Sequence, residues 1–305
     1  MKNIIRLLYG LVLAGGTLLF ATACSDDTPN INLGGGDTAP GVPATGNVAA
    51  RMETPAIKTS GTLVTAHRTK EGADSVMTYS LEFDREQLHS RWVAFRFDGR
   101  TRIKNVSRSD EPFADDPMLP TALRIGPRSF GNPYNRGHIC ASADRLYSAK
   151  ANEQTFYMSN MSPQLASFNQ GYWITLEGQV QKLGRDASFA DTLYVVKGGT
   201  VEPHQILGYV NRTDGKRVAV PHYYFMALLK VKNGTYTAIG FWMEHKEYGY
   251  NYKQPAPLAV IGTHAVSIDE LERLTGIDFF PNLPDKVENA VEATAQKTAW
   301  GFPAG

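Results

Sequence analysis

Two stretches of this chain carry the residue types that phosphodiester cleavage needs. That reaction calls for a base to activate water, a positive charge to meet the pentavalent phosphate, and a metal ion for the departing oxygen. The first stretch is Asn135-Arg136-Gly137-His138. His138 can serve as the base, because a neutral imidazole is available near pH 7. Arg136 can grip phosphate through two N–H groups at once, and Gly137 lets backbone and substrate come close. The second stretch holds Asn169, Trp173 and Glu177. Their i, i+4, i+8 spacing puts all three on one side of a helix. A hard cation such as Mg²⁺ takes few protein oxygens and keeps several waters. One amide oxygen from Asn169, with the Glu177 carboxylate on a water of the ion, would suit it. Taken singly, each group also fits a bland role, as polar residues on a helix exterior or a structurally satisfied histidine.

The elements that must position these residues follow from periodicity. Thr78–Asp84 and Ser90–Asp98 alternate apolar and polar residues and predict strands, as do Thr192–Lys197, Tyr223–Val231 and Tyr236–Glu244. Lys232-Asn233-Gly234 is a turn signal joining the last two. Residues 105–135 are rich in Pro, Gly, Asp and Arg and predict a loop. Ser267 and Glu270 fit a capping box for a short helix over Ser267–Leu274 that Gly276 ends. Strands, a helical middle and further strands predict an α+β domain on a mainly antiparallel sheet. Nothing in the Ala- and Glu-containing stretch beyond residue 285 suggests a role.

Lys2 and Arg6, an apolar run from Leu7 to Phe20 and then Ala21-Thr22-Ala23-Cys24 predict a signal peptide over residues 1–23. The run is shorter than the ~18 residues a membrane span needs. The stretch resembles a bacterial lipoprotein signal, which implies that Cys24 is lipidated and the protein exported and membrane-anchored, at the cell surface or in the periplasm. Ser25-Asp26-Asp27 is similar to an acidic export tag of surface lipoproteins. Residues 24–61 then read as a lipidated N-terminus and flexible linker, 62–285 as the folded domain and 286–305 as a tail. With Cys24 lipidated, Cys140 has no partner, so no disulfide is expected; a small buried thiol is its expected role.

Of the 31 Lys and Arg residues two lie in the leader, leaving 29 against 30 Asp and Glu. A nearly neutral mature chain is not a bulk polyanion binder, so a nucleic-acid surface must be local. Residues 84–150 are the candidate, with 12 basic against 8 acidic residues. The other six histidines show no metal-ligand spacing, and Trp92 and Trp242 are expected in the core or sheet.

Together, Asn135-Arg136-Gly137-His138, Ser159-Asn160, Pro163-Gln164, Asn169-Gln170, Trp173 and Leu176-Glu177 resemble the DNA/RNA non-specific endonuclease family over roughly residues 75–285. The resemblance implies a ββα-metal (His-Me finger) fold, DNA and RNA as substrates, and one divalent ion, Mg²⁺ or Mn²⁺ in its place. It implies His138 as general base, Asn169 as the single direct protein ligand of the metal, Arg136 as a phosphate contact and Glu177 as the carboxylate on the ion's water. An upstream arginine that stabilises the transition state is implied as well. Ser107-Arg108-Ser109-Asp110 before Phe113–Pro117 places it at Arg108, with Arg102 and Arg124 as alternatives. Some relatives dimerise, so a homodimer is one partner to consider. Asn135 stands where the family has aspartate; it keeps the hydrogen-bonding shape of a substrate contact and loses the charge. That departure leaves two other readings open: a metal-dependent phosphodiesterase for another substrate, and an inactive nucleic-acid-binding surface lipoprotein.

Overall fold

The computed structural model describes residues 48–303. The expected signal peptide, Cys24, the acidic tag and the linker up to residue 47 lie outside the described residues. In chain order the elements are β1 (Thr62–Glu71), β2 (Asp74–Asp84), β3 (His89–Phe97), β4 (Tyr134–His138), α1 (Ala149–Gln154), β5 (Met161–Leu165), α2 (Ala166–Phe168), α3 (Ile174–Arg185), β6 (Thr192–Gly199), β7 (Ile206–Asn211), β8 (Arg217–Pro221), β9 (Tyr223–Lys232), β10 (Thr235–Glu244), α4 (Leu258–Gly262), β11 (Ala265–Val266), α5 (Ile268–Thr275) and α6 (Asp285–Glu292).

Seven strands form one sheet in the order β1-β2-β3-β6-β9-β10-β11, and every neighbouring pair is antiparallel. This is the α+β arrangement expected from the sequence. The β9–β10 hairpin turns on Asn233 and Gly234, at φ 49° and 74°; two successive positive φ values match the right-handed twist of the strands. The central strands are buried on both faces. On β9, Tyr224, Met226 and Leu228 enter one core while Phe225, Ala227 and Leu229 enter another. Helix α3 covers the first face with Leu176 and Val180. Helices α5 and α6 cover the second with Ile268, Leu271 and Val291.

Packing extends to both ends of the described chain. Val48, Glu53 and Thr54 are buried, although Gly, Pro and Thr dominate that region and no apolar period marks it. Side-chain-to-backbone bonds hold it instead: Asn282 Nδ2 donates to Ala49 O at 2.8 Å and Arg51 O at 3.1 Å, and Lys58 N donates to the buried Glu82 at 2.7 Å. At the other end Trp300 is fully buried in the α3-side core, which gives the stretch after residue 285 a packing role that its sequence does not advertise.

Strands β4 and β5 make a separate two-stranded ribbon, and two histidines fix it to the sheet. His89 Nδ1 donates to Ser90 O at 2.7 Å, so in the neutral ring Nε2 is an acceptor for Ser162 Oγ of β5 at 2.7 Å. That hydroxyl then accepts from Tyr224 OH at 2.6 Å. His245 Nδ1 donates to Pro221 O at 2.9 Å, and its Nε2 accepts from Leu165 N at the end of β5 at 2.7 Å. Burial pushes both rings down to about 4, so both are neutral and both bonds persist at pH 7. A histidine whose folded value is depressed supplies stability in full above the unfolded value and loses it as pH falls through the folded one. The contribution of these two rings to stability should therefore be flat above pH 6.5 and weaken towards pH 4, by about 1.4 kcal/mol per unit for each ring. His89→Gln should make that fall shallower; an unchanged slope would remove His89 from the account.

Candidate active site

The ribbon carries the first motif. Its register pairs His138 with Met161, Gly137 with Ser162 and Asn135 with Gln164. Alternation along β4 puts Arg136 and His138 on one side. Gly137 is needed for a reason other than substrate approach. A Cβ there would lie 2.0 Å from Gln164 Oε1 and 2.3 Å from its Cδ, so the buried Gln164 side chain fills the space. Asn160 secures the chain just past His138: its Oδ1 accepts from Cys140 N and its Nδ2 donates to Cys140 O, both at 2.8 Å. Cys140 is buried, and burial raises its thiol well above the ordinary range, which suits the inert role expected of it.

Around the imidazole two phenylalanines and two arginines form a layered wall. Phe113 lies 5.7 Å and Phe156 5.2 Å from the His138 ring, the latter perpendicular to it. The Arg136 guanidinium sits over Phe113 at 4.0 Å and that of Arg108 over Phe156 at 4.9 Å. The loop bearing Arg108 and Phe113 has no regular structure of its own, so it borrows partners. Ser109 N donates to Asn152 Oδ1 of α1 at 2.7 Å, Ala114 N to Phe156 O at 3.2 Å, and Met158 N to Ala114 O at 2.9 Å. The structure thus brings Arg108 to His138. The alternatives are engaged with backbone carbonyls: Arg102 with Ala190 O and Arg124 with Leu119 O, each at 2.9 Å.

His138 Nε2 is sealed from solvent and has no hydrogen-bond partner among the described residues. Burial pushes the ring down to about 3; Arg108, Lys197 and Arg136 add to the effect and Asp144 opposes it. The ring is neutral at pH 7 and one nitrogen holds an open lone pair.

The second motif departs from the expected regular helix. Asn169–Trp173 is a π-helical turn, and Gly171 inside it has non-helical angles of φ −106° and ψ −107°. A Cβ on Gly171 would lie 2.6 Å from Tyr250 O, so a backbone approach from a distant loop forces the wide turn. The i, i+4, i+8 face is therefore not continuous. Asn169 occupies the wide turn, half-buried, and makes no side-chain hydrogen bond among the described residues. Asn135 is half-buried as well. The fully buried Trp173 donates from Nε1 to His138 O at 3.3 Å, which ties the helix to the ribbon.

One turn further on, Glu177 is buried rather than open. Its Oε1 accepts from Lys197 Nζ at 3.2 Å, and the same ammonium donates to Asp144 Oδ2 at 2.8 Å. Lys197 and Asp144 are completely buried. Burial, with Asp144 adding to it and Lys197 opposing it, raises Glu177 to about 7. Sequence reasoning missed Asp144, Lys197, Phe113 and Phe156. A faint signal existed for Lys197, a lone cation in the apolar run of β6, and for Asp144, six residues after His138.

Known proteins resemble this chain over most of its length. The model of the DNA/RNA non-specific endonuclease family matches residues 60–286. A nuclease of Nostoc sp. is 30% identical over 218 residues, covering 70% of this chain and 75% of that protein. The mitochondrial nuclease EXOG of mouse is 27% identical over 221 residues, 67% of this chain and 56% of the relative, so this chain spans little more than half of it. Among solved structures, a chain in the crystal structure of the EndoG/EndoGI complex superposes with a TM-score of 0.55 at 24% identity, over 72% of this chain and 87% of that one. That last likeness is one of fold.

Two outcomes follow from the wall and the ribbon. Gly137→Ala should cost about 1–3 kcal/mol in urea unfolding, because the added methyl must displace Gln164; native-like stability would refute the contact. In Arg108→Ala the His138 value, followed by NMR titration of the ring, should rise, because a repelling positive charge has gone. A value that stays put would mean that burial alone sets it.

Proposed function

We propose that this chain, which belongs to the DNA/RNA non-specific endonuclease family, hydrolyses phosphodiester bonds of both DNA and RNA with His138 as general base and one divalent ion on Asn169. The β4–β5 ribbon with α3 then corresponds to the two strands and helix of the ββα-metal fold. The observation that carries the proposal is the neutral imidazole of His138, its Nε2 buried and without a partner among the described residues, between two guanidiniums that its own aromatic neighbours hold in place. Such a group can take a proton only from something brought to it, and the arginines say what that is: an anion.

The residues fit a divalent ion. Asn169 offers an amide oxygen with no competing hydrogen bond among the described residues, and Glu177 has a second oxygen that Lys197 does not use. Mg²⁺ is the hard cation such a sparse oxygen set suits, and Mn²⁺ would serve in its place. When bound, the ion would supply charge stabilisation at the scissile phosphate and the leaving 3′ oxygen. The protein does the rest. His138 removes a proton from water as that water attacks phosphorus in line. Arg136 and Arg108 spread the charge on the equatorial oxygens, and the product keeps a 5′ phosphate. Glu177, braced by Lys197, would hold water of a bound ion. An imidazole at about 3 is a weak base by itself. The phosphate's negative charge cancels the repulsion from Arg108 and Arg136, so substrate strengthens the base at the moment of use.

Contacts to phosphate carry no sequence information, so selectivity should be low, and attack by water rather than a 2′-hydroxyl admits both sugars. Asn135 keeps the shape of the family's aspartate without its charge, which alters rate or pH optimum rather than the roles of the other groups. The domain of residues 62–285 is, in this reading, exported after cleavage at residue 23 and tethered by lipid on Cys24. Among the described residues no helix is long and apolar enough to cross a membrane.

Supercoiled plasmid and total RNA should both be degraded by the purified protein with Mg²⁺ and spared with EDTA. His138→Ala should lower the rate by about 10²–10⁴-fold. Full activity in that variant would remove His138 as base, and cleavage in EDTA would remove the ion. If both substrates stay intact under every metal, Asn135→Asp tests whether the lost carboxylate is the cause.

A further inference from the structure

Helices α5 and α6 lie on the face of the sheet opposite His138, packed through Ile268, Leu271 and Val291. On α5, Asp269 and Glu272 are three residues apart and share a side. Glu292, the last residue of α6, completes a group in which one carboxylate oxygen from each residue lies within 4.8 Å of the others. Glu292 is only 4% exposed, and its Oε1 is buried with no hydrogen-bond partner among the described residues. Glu272 spends one oxygen on Phe279 N at 2.7 Å, which fixes the carboxylate and leaves the other oxygen for the cluster.

Among the described residues no ion pair reaches Asp269, Glu272 or Glu292. The groups that act on Glu292 are Glu272, Glu288, Asp269 and Asp278, carboxylates all. Arg273, the basic residue of α5, is paired with Glu270 at 2.6 Å. A buried carboxylate beside four others must hold a proton or a cation. Burial and these neighbours push Glu292 up to about 9 and Glu272 up to about 7, so protons compete for the site when no cation is bound.

We propose that Asp269, Glu272 and Glu292 form a second cation site, distinct from the nuclease centre, that takes Ca²⁺ and pins α6 to α5. Oxygen ligands select a hard cation, and three carboxylates offer up to about six of them. Mg²⁺ keeps several waters and takes one or two carboxylates, whereas Ca²⁺ takes six to eight oxygens, so a set of three carboxylates favours the larger ion. Asp269 and Glu272 lie inside the family match and Glu292 lies beyond residue 286, where it stops. The site's role is structural: the ion replaces repulsion between two helices with a shared ligand set, and α6 is the element that leads the chain back to buried Trp300.

The test is thermal unfolding of the whole protein after EDTA treatment and dialysis, with and without CaCl₂, beside calorimetric titration with CaCl₂ alone. Ca²⁺ should raise Tm by about 5–10 °C at a hundredfold excess over Kd. The rise should survive in Asn169→Ala, which disables the other site. Glu292→Gln should melt higher than wild type in EDTA near pH 7, because folding no longer has to protonate a buried carboxylate, and should lose the response to Ca²⁺. If that variant does not fold, Asp269→Asn at the exposed edge provides the same comparison. An absent response in wild type, an equal response in the carboxamide variant, or loss of the response in Asn169→Ala would each overturn the site. An equal response to MgCl₂ would overturn the assignment to calcium.

Discussion

A ribbon of two five-residue strands does not hold together in water unaided, yet His138 is mounted on one. The whole site depends on how that ribbon is fastened. Ser162 and Leu165 of β5 are bound to the neutral rings of His89 and His245; Trp173 grips the carbonyl of His138 itself. Each fastening uses an acceptor or donor that burial keeps in one protonation state. Those histidines would repel an approaching proton donor if charged, so the same burial that makes the core also sets the bond directions that hold the ribbon.

The charges beneath the ribbon follow a complementary rule. Lys197 has no exposure at all and touches two carboxylates. A buried ammonium survives only with such partners, and a buried pair does not by itself add stability over apolar residues of similar size. What the arrangement does provide is orientation. Glu177 cannot swing away from Lys197 without stranding a charge, so its carboxylate is fixed in direction. Above the ribbon the balance is reversed: Arg108 and Arg136 lie on aromatic faces with no carboxylate between them and His138. The imidazole thus sits among a buried ammonium with its carboxylate and two guanidiniums on aromatic faces.

Much of this could be read from residue order, for identifiable reasons. Strands in the two-faced sheet alternate, Asn233-Gly234 announces its hairpin, and Ser267 caps α5 by accepting from Glu270 N at 3.1 Å while Gly276 ends it at φ 65°. These are local effects, encoded within a few residues. The motif residues were legible because their chemistry is particular. The π-helical turn at Gly171 was not, since its cause is the carbonyl of Tyr250, 79 residues away in a loop without periodicity. The aromatic backing of the two arginines was not, since Phe113 sits in a segment whose only order is borrowed from Asn152 and Phe156. Asn282 holding Ala49 across the chain, and Trp300 buried near its end, are invisible for the same reason.

The topology explains why such a site can be built from irregular pieces. Strands β3 and β6 are direct antiparallel neighbours, with Phe97 beside Leu193, so residues 98–191 form one excursion that leaves the sheet and returns to the adjacent position. Arg108, Asn135, Arg136, His138, Asn169 and Glu177 all lie within it. The sheet closes whatever conformation the excursion adopts, which frees that segment to carry a loop, a ribbon and a wide helical turn that no periodic element would tolerate. The cost of ordering it is met by contacts back to the sheet: His89 on the departing strand, Lys197 on the returning one and Tyr224 on β9 beside it. Those three residues belong to the sheet and at the same time hold the ribbon and helix of the excursion in place, because the strands that close the excursion are the ones its side chains are fastened to.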